Sequence, residues 1–181
     1  MTNAVETLLE DDHQSLSKLL AELDGEMAKS NVSRAFELLD LFWARLAVHI
    51  RAENLHLFPA IAHASYSGGG DVPASDGLQP VSDDVGKILG QLRADHDFFM
   101  KELAEMIKVM RVIAGSQQSR LDDLEGLRQR LTLIKERLDR HNELEEQQVY
   151  GWPALLLDEQ TTAGLCKSLQ RELEDLPPRF A

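Results

Sequence analysis

The sequence predicts an all-α protein, an antiparallel up-down-up-down four-helix bundle with an additional C-terminal helix. Apolar residues recur in steps of three and four through four long segments, which is the spacing of a helix that buries one stripe. Alternation with a period of two, which would indicate a half-buried strand, extends over no useful length. The links between most of the segments are short, and short links favour antiparallel neighbours.

The breaks between the four segments can be identified in the sequence. Segment A spans residues 5–27, segment B 39–60, segment C 85–113 and segment D 124–152. Between A and B, residues 30–33 read Ser-Asn-Val-Ser and supply N-cap candidates for the second helix.

Two further stretches complete the chain. The stretch from Ser65 to Ser82 is rich in Gly, Ser, Pro and Asp and predicts a long surface loop between B and C, of the kind that serves as a lid or a binding loop. A fifth helix is predicted from about Asp158 to Leu176. The predicted organisation is a four-helix bundle over residues 1–155 and a C-terminal helix packed on it over residues 156–181.

Composition excludes several classes of partner. The chain has 181 residues and a formal charge of −12, which argues against nucleic acid because phosphate binding needs clustered Lys and Arg. No apolar run is long enough to span a bilayer, so no membrane partner is expected. Residues 1–12 lack the basic start and apolar stretch of a secretion signal, and the single cysteine cannot form an intrachain disulfide. The expected location is the cytoplasm.

Six ionisable side chains lie on the stripes that the helices are predicted to bury. Segments B and D each carry the spacing His-x3-Glu, and residues four apart share one face of a helix. Segments A and C each carry one histidine, so the chain looks like two copies of one unit. The six are His13 on A, His49 and Glu53 on B, His96 on C, and His141 and Glu145 on D.

Their depth along the helices predicts that these side chains meet. His13 and His96 lie roughly three turns from the starts of A and C, whereas His49 and His141 lie roughly three to four turns from the ends of B and D. In an up-down-up-down bundle the starts of A and C are level with the ends of B and D. We therefore expect all six side chains in one layer near one end of the bundle.

A layer of this kind needs a compensating partner, which a bound cation would supply. An uncompensated buried carboxylate costs several kcal/mol, against a domain stability of about 5–15 kcal/mol. Imidazole and carboxylate together suit iron, manganese or zinc. Four histidines and two bridging carboxylates fill about eight of the roughly twelve positions around two six-coordinate ions. Positions then remain for water, an oxo or hydroxo bridge and an exogenous ligand, which predicts reactivity toward dioxygen or a related small molecule.

Other polar residues near the stripes are less decisive. His56 is a further candidate ligand, because Glu53-x2-His56 is a spacing used in ferritin-like di-iron bundles; the alternatives are a place beside the ligands or in the next layer. Segment D has Gln148 at the matching position, so this motif is not repeated. Asp12 and Asp95 lie about 100° around the helix from the stripe and are expected to be surface acids.

These motifs resemble those of the hemerythrin-like HHE cation-binding family. The family signature is His-x3-Glu-Glu followed by a Leu-Phe-Pro-like close; here residues 49–59 read HIRAENLHLFP, and residues 141–146 read HNELEE with Trp-Pro beyond. His13 and His96 match the lone histidines of the other two helices, and the resemblance covers about residues 5–155. It implies a four-helix bundle around a non-haem di-iron centre, with two Fe ions, carboxylate bridges and reactivity toward dioxygen, nitric oxide or peroxide.

The sequence departs from the family pattern at two places. Oxygen-carrying hemerythrins place two histidines four apart on the third helix, but here Met100 follows His96 by four and Leu92 precedes it by four. Asn54 replaces the second acid of the first motif. These departures favour sensing, iron handling or redox chemistry over reversible oxygen carriage. The alternatives are an iron store or donor related to iron–sulfur cluster repair, an enzyme that uses the iron as oxidant, and a metal-free interaction module.

Overall fold

The computed structural model describes residues 4–67, 82–115 and 121–180, and all regular structure in these ranges is helical, as predicted. Two π-helical turns interrupt the longer helices, at Glu53–Leu57 and Glu145–Val149. A 3-10 turn at Pro178–Phe180 follows the last helix. The α-helices are α1 (Ala4–Ala28), α2 (Val32–Ala52), α3 (Phe58–Ser67), α4 (Ser82–Gly115), α5 (Leu121–Leu144), α6 (Trp152–Leu156) and α7 (Glu159–Glu174).

The links between helices agree with the sequence where they are described. Ser30 adopts a left-handed conformation with φ of 57°, and Asn31 caps α2 by accepting a hydrogen bond from the Arg34 backbone N–H, as its place in the predicted cap segment implies. The predicted loop from Ser65 to Ser82 has helical residues at both ends, because Ser65–Ser67 belong to α3 and Ser82 belongs to α4. Residues 68–81 of that loop lie outside the described residues.

The helices of segments A to D pack in a ring. Helix α1 packs on α2, α2 on α4, α4 on α5 and α5 on α1. Helix α7 packs across α1 and α2, close to the predicted span 158–176, with Asp158 as its N-cap. Arg51 of α2 forms ion pairs with Glu172 of α7 and with Asp175 just beyond it. None of the described helices is long and apolar enough to span a membrane.

Two apolar clusters divide the interior. The larger, here called the main cluster, includes Leu16 to Met27 of α1 and Phe99 to Ile113 of α4. The smaller, here called the end cluster, includes Val5 and Leu9 of α1, Leu92 of α4 and Tyr150. On α1 and on α4 the two clusters lie on opposite sides of one buried histidine, so a polar layer separates them.

Candidate metal centre

The six predicted side chains meet in this polar layer. Each is almost completely buried, and the two glutamates are fully buried. Glu53 and Glu145 are the first residues of the two π turns. Helix α1 contributes His13, α2 contributes His49, α4 contributes His96 and α5 contributes His141.

The side chains form two overlapping groups that could each hold a cation. The first ligand set is His13, His49, Glu53 and Glu145; the second ligand set is His96, His141 and the same two glutamates. Within each set, one donor atom per residue lies within 4.8 Å of all the others. Because both glutamates belong to both sets, their carboxylates lie where they could bridge two ions.

The histidines of each set face one another through their Nε2 atoms. These atoms are 3.1 Å apart in the pair His13–His49 and 3.1 Å apart in the pair His96–His141. The Nδ1 atoms of His13, His49 and His141 lie against carboxylates, which favours the tautomer that carries its proton on Nδ1. In a neutral ring of that tautomer, Nε2 presents a lone pair. A cation between the two nitrogens of a pair can accept a lone pair from each once any proton on Nε2 has left.

The carboxylate oxygens point to the same conclusion. Glu53 Oε2 and Glu145 Oε1 are buried and have no hydrogen-bond donor among the described residues. His96 Nε2 lies 3.2 Å from the first oxygen and His141 Nε2 lies 3.2 Å from the second, but neither contact has hydrogen-bond geometry. Buried oxygens that converge with imidazole nitrogens but are not hydrogen-bonded to them fit a metal cation.

Two aspartates that the sequence suggested were surface acids orient the histidines instead. Asp12 Oδ2 accepts from His49 Nδ1 at 2.9 Å, and its other oxygen accepts from Arg45 at 2.6 Å. Asp95 makes the matching contacts with His141 Nδ1 at 3.4 Å and with Arg137 at 2.6 Å. The expectation failed because a residue about 100° from the buried stripe of one helix still faces the neighbouring helix of a bundle.

The structure adds Tyr150, which sequence reasoning missed. Its fully buried hydroxyl donates to Glu53 Oε1 at 2.8 Å, and it also lies 3.2 Å from Glu145 Oε2 and 2.9 Å from His13 Nε2. Tyr150 therefore places a further oxygen atom inside the first ligand set. The signal that could have found it is the apolar pair Val149-Tyr150, because both residues are buried directly after the π turn.

The π turns also move two residues that the sequence placed on the buried stripe. Each turn inserts one extra residue after its glutamate, so the inward positions become Leu57 and Phe58 on one helix and Val149 and Tyr150 on the other. Gln148 is exposed. His56 is not brought together with the six; it points to α7, where Nε2 lies 3.4 Å from Glu172 Oε2.

The charges of the cluster compensate one another strongly. Burial lowers the pKa of His49, but Glu53 and Asp12 outweigh burial and hold the pKa well above its ordinary value. Burial raises the pKa of Glu53, but His49 and His96 hold it well below its ordinary value. Burial and the two glutamates raise the pKa of Tyr150 well above its ordinary value, so its hydroxyl keeps its proton while no cation competes for the oxygen.

Comparison with known proteins gives one result. A family model described as the hemerythrin HHE cation binding domain matches residues 5–153, which include all six clustered side chains and Tyr150. Among curated proteins and among solved structures no significant match was found.

Proposed function

Because the chain belongs to the hemerythrin HHE cation-binding family, we propose that the two ligand sets hold a non-haem di-iron centre that binds or reacts with dioxygen, nitric oxide or peroxide in a sensing or redox role. The observation that carries this proposal is that Glu53 and Glu145 belong to both sets. Two buried carboxylates between two pairs of imidazoles suit two cations better than one. Nitrogen and oxygen donors without thiolate suit iron.

The packing supports the bundle order that the sequence predicts. His13 near the start of α1 meets His49 near the end of α2, and His96 meets His141 near the end of α5. Such contacts between the start of one helix and the end of its neighbour are those expected of an up-down-up-down bundle. The contacts of α7 with α1 and α2 support the predicted role of residues 156–181 as a C-terminal helix packed on the bundle.

The residues around the ligand sets would hold the ligands in place and shield most of the site from water. Asp12, Asp95 and Glu146 accept from imidazole Nδ1 atoms and so direct the Nε2 atoms inward. The main cluster and the end cluster close the layer on two sides with apolar side chains. An iron pair held there would supply reversible one-electron redox steps and open positions for a small ligand.

Metal content tests the proposal directly. Anaerobic reconstitution of the full chain with ferrous iron should load close to two ions per chain. His49→Ala and Glu145→Ala should each lose most of the metal, whereas His63→Ala should load as the parent does, because His63 is exposed on α3 outside both sets. A plateau at one ion, or the same loss in His63→Ala as in His49→Ala, would contradict the proposal.

One observation favours iron storage or donation as a second candidate. A surface cavity of about 420 Å³ reaches His13 between α1 and α5, and Asp139, Glu143 and Glu146 line it. These three carboxylates could pass a ferrous ion between solvent and the edge of the cluster. If this candidate holds, a mild chelator should remove iron within minutes. The double variant Asp139→Asn/Glu143→Gln, which keeps Glu146 against His13, should then slow the release, whereas retention of iron for hours in the parent protein would contradict it.

A further inference from the structure

The cluster has two halves, one around each ligand set. The internal repeat relates these halves, so they can be compared position by position. Asp12-His13 on α1 corresponds to Asp95-His96 on α4, and the two His-x3-Glu units correspond to each other. The contacts repeat as well: in each half the aspartate lies against the Nδ1 atom of the histidine of the next helix and pairs with an arginine. A residue that differs between the halves can therefore be compared with its counterpart at the matched position.

The first difference concerns the partners of the Nδ1 atoms of the lone histidines, His13 and His96. Glu146, which follows the glutamate of the second unit, accepts from His13 Nδ1 at 2.8 Å. The repeat relates Glu146 to Asn54, a neutral amide, and His13 to His96. His96 Nδ1 and Asn54 Oδ1 are buried and have no hydrogen-bond partner among the described residues. A carboxylate that accepts a hydrogen bond from one imidazole nitrogen makes the other ring nitrogen a stronger donor to a metal, whereas a neutral amide does not.

The second difference lies five residues after the shared glutamates. Tyr150 packs against His13 with ring centroids 5.4 Å apart, and Phe58 stacks on His96 with centroids 5.7 Å apart. The two rings occupy equivalent places, but only Tyr150 carries a hydroxyl. This hydroxyl contacts His13, which belongs to the first ligand set alone, and the two glutamates that both sets share. The second set has an apolar ring at that place.

The third difference is in the distance from each aspartate to its histidine, and it also favours the first ligand set. Asp12 lies 2.9 Å from His49 Nδ1, whereas Asp95 lies 3.4 Å from His141 Nδ1. In all three comparisons the first set has the closer or the more polar partner. Nothing in the repeat requires three independent differences to favour one half.

We infer that the two cation positions of this protein are unequal: the position of the first ligand set binds its ion first and more tightly, and the position of the second set fills last. This inference rests on the proposed di-iron function and deepens it, because it assigns an order to the two ions. Partners behind a metal ligand typically change metal affinity by about 10- to 100-fold, so we expect the two binding steps to differ by at least about tenfold.

Stepwise titration of the full chain with ferrous iron, in anaerobic competition with a coloured chelator, tests the order. The parent protein should show a tight step and a weaker step. Glu146→Gln should weaken the tight step by about tenfold or more and leave the weaker step nearly unchanged. Glu136→Gln removes the same charge from an exposed place ten residues earlier, on α5 and away from the cavity that reaches His13, and should change neither step.

The reciprocal variants make the test independent of damage to the fold. Asn54→Glu gives the second half the carboxylate of the first and should strengthen the weaker step, a gain that unfolding cannot produce. Tyr150→Phe gives the first half the ring of the second and should weaken the tight step. Thermal melting of the metal-free variants checks that each remains folded.

The outcomes separate this inference from the function on which it rests. Two ions that bind with equal affinity, or a Glu146→Gln variant that weakens both steps alike, would overturn the inference and leave the di-iron proposal standing. Binding of one ion in total would contradict the di-iron proposal itself. Two unequal steps with the expected response to Glu146→Gln and Asn54→Glu would support both.

Discussion

The carboxylates in and around the cluster have two separate tasks. Glu53 and Glu145 meet the imidazole Nε2 atoms inside the cluster, whereas Asp12, Asp95 and Glu146 lie against Nδ1 atoms at its edge. An imidazole whose Nδ1 proton is fixed can present only Nε2 to a cation, so the edge carboxylates decide which nitrogen binds. The orientation of the ligands is thus as much a property of these neighbours as of the ligands themselves.

Removing one edge carboxylate should weaken metal binding without removing a ligand. Asp12→Asn can still contact His49 Nδ1, but it no longer offers a charged acceptor, and it loses the ion pair with Arg45. We expect metal affinity to fall by about 10- to 100-fold. Asp11→Asn, at the exposed neighbouring position, is the charge-matched control. Equal affinities of the two variants in a chelator competition would show that Asp12 does not orient His49.

The balance of charge within the cluster predicts how metal stabilisation depends on pH. The pKa of His49 is raised above its ordinary value of 6.5, so its stabilising contribution to the metal-free protein is complete below 6.5 and is lost as pH rises through the raised pKa. The pKa of Glu53 is lowered, so its contribution is complete above its ordinary value of 4.5 and is lost only in acid. A bound cation replaces the protons of the histidines and removes this loss at high pH.

The difference in Tm between metal-loaded and metal-free protein should therefore grow as pH rises from about 6.5 to 9. Thermal melts of both forms across this range, at constant metal excess for the loaded form, provide the measurement. His49→Ala should show little growth at the same metal excess, because this variant loses most of the metal. A difference that shrinks with rising pH would mean that the cluster does not carry protonated histidines when it lacks metal.

At the scale of the helix, the π turns explain what the sequence could and could not predict. The stripes of α1 and α4 followed from the periodicity, because those helices are uninterrupted from end to end through the polar layer. The His-x3-Glu pairs lie on the predicted faces because each pair ends at the first residue of its π turn, before the inserted residue. Beyond Glu53 and Glu145 the periodicity fails by one residue, because the inserted residue has no signature in composition or spacing. The outward turn of His56 could not be predicted for that reason, and only the pair Val149-Tyr150 could have indicated Tyr150.

The π turn at Glu53–Leu57 gives His56 a structural role at the surface of α7. We expect His56→Ala to keep close to two iron ions per chain, because the side chain points to Glu172 and not to the cluster. Its cost in stability should be at most about 1 kcal/mol, as for other partly exposed ion pairs. Iron content and Tm, compared with those of His141→Ala, give the measurement. Loss of half or more of the iron in His56→Ala would show that His56 reaches the cluster.

At the scale of the whole molecule, the histidine inventory limits the chemistry. The chain has six histidines. Four form the two ligand sets, His56 contacts Glu172, and His63 is exposed. The positions four residues before and after His96 are Leu92, in the end cluster, and Met100, packed against the main cluster. No fifth imidazole therefore lies near either ligand set.

This inventory predicts that the iron-loaded protein is not a reversible oxygen carrier. Reversible carriage requires dioxygen to bind at one open position and to leave unchanged, which is favoured when the neighbouring ion is saturated by protein ligands. Here the second ligand set offers only two imidazoles and the two shared carboxylates, and a thioether such as that of Met100 is a poor partner for ferric iron. Both ions would thus keep positions open to solvent or ligand.

We expect the reduced protein to oxidise in air within minutes and to stay oxidised under vacuum. Stopped-flow mixing with dioxygen, followed by visible absorption during repeated evacuation, measures this. Recovery of the ferrous spectrum on evacuation would overturn the argument and show that four imidazoles are enough for reversible binding.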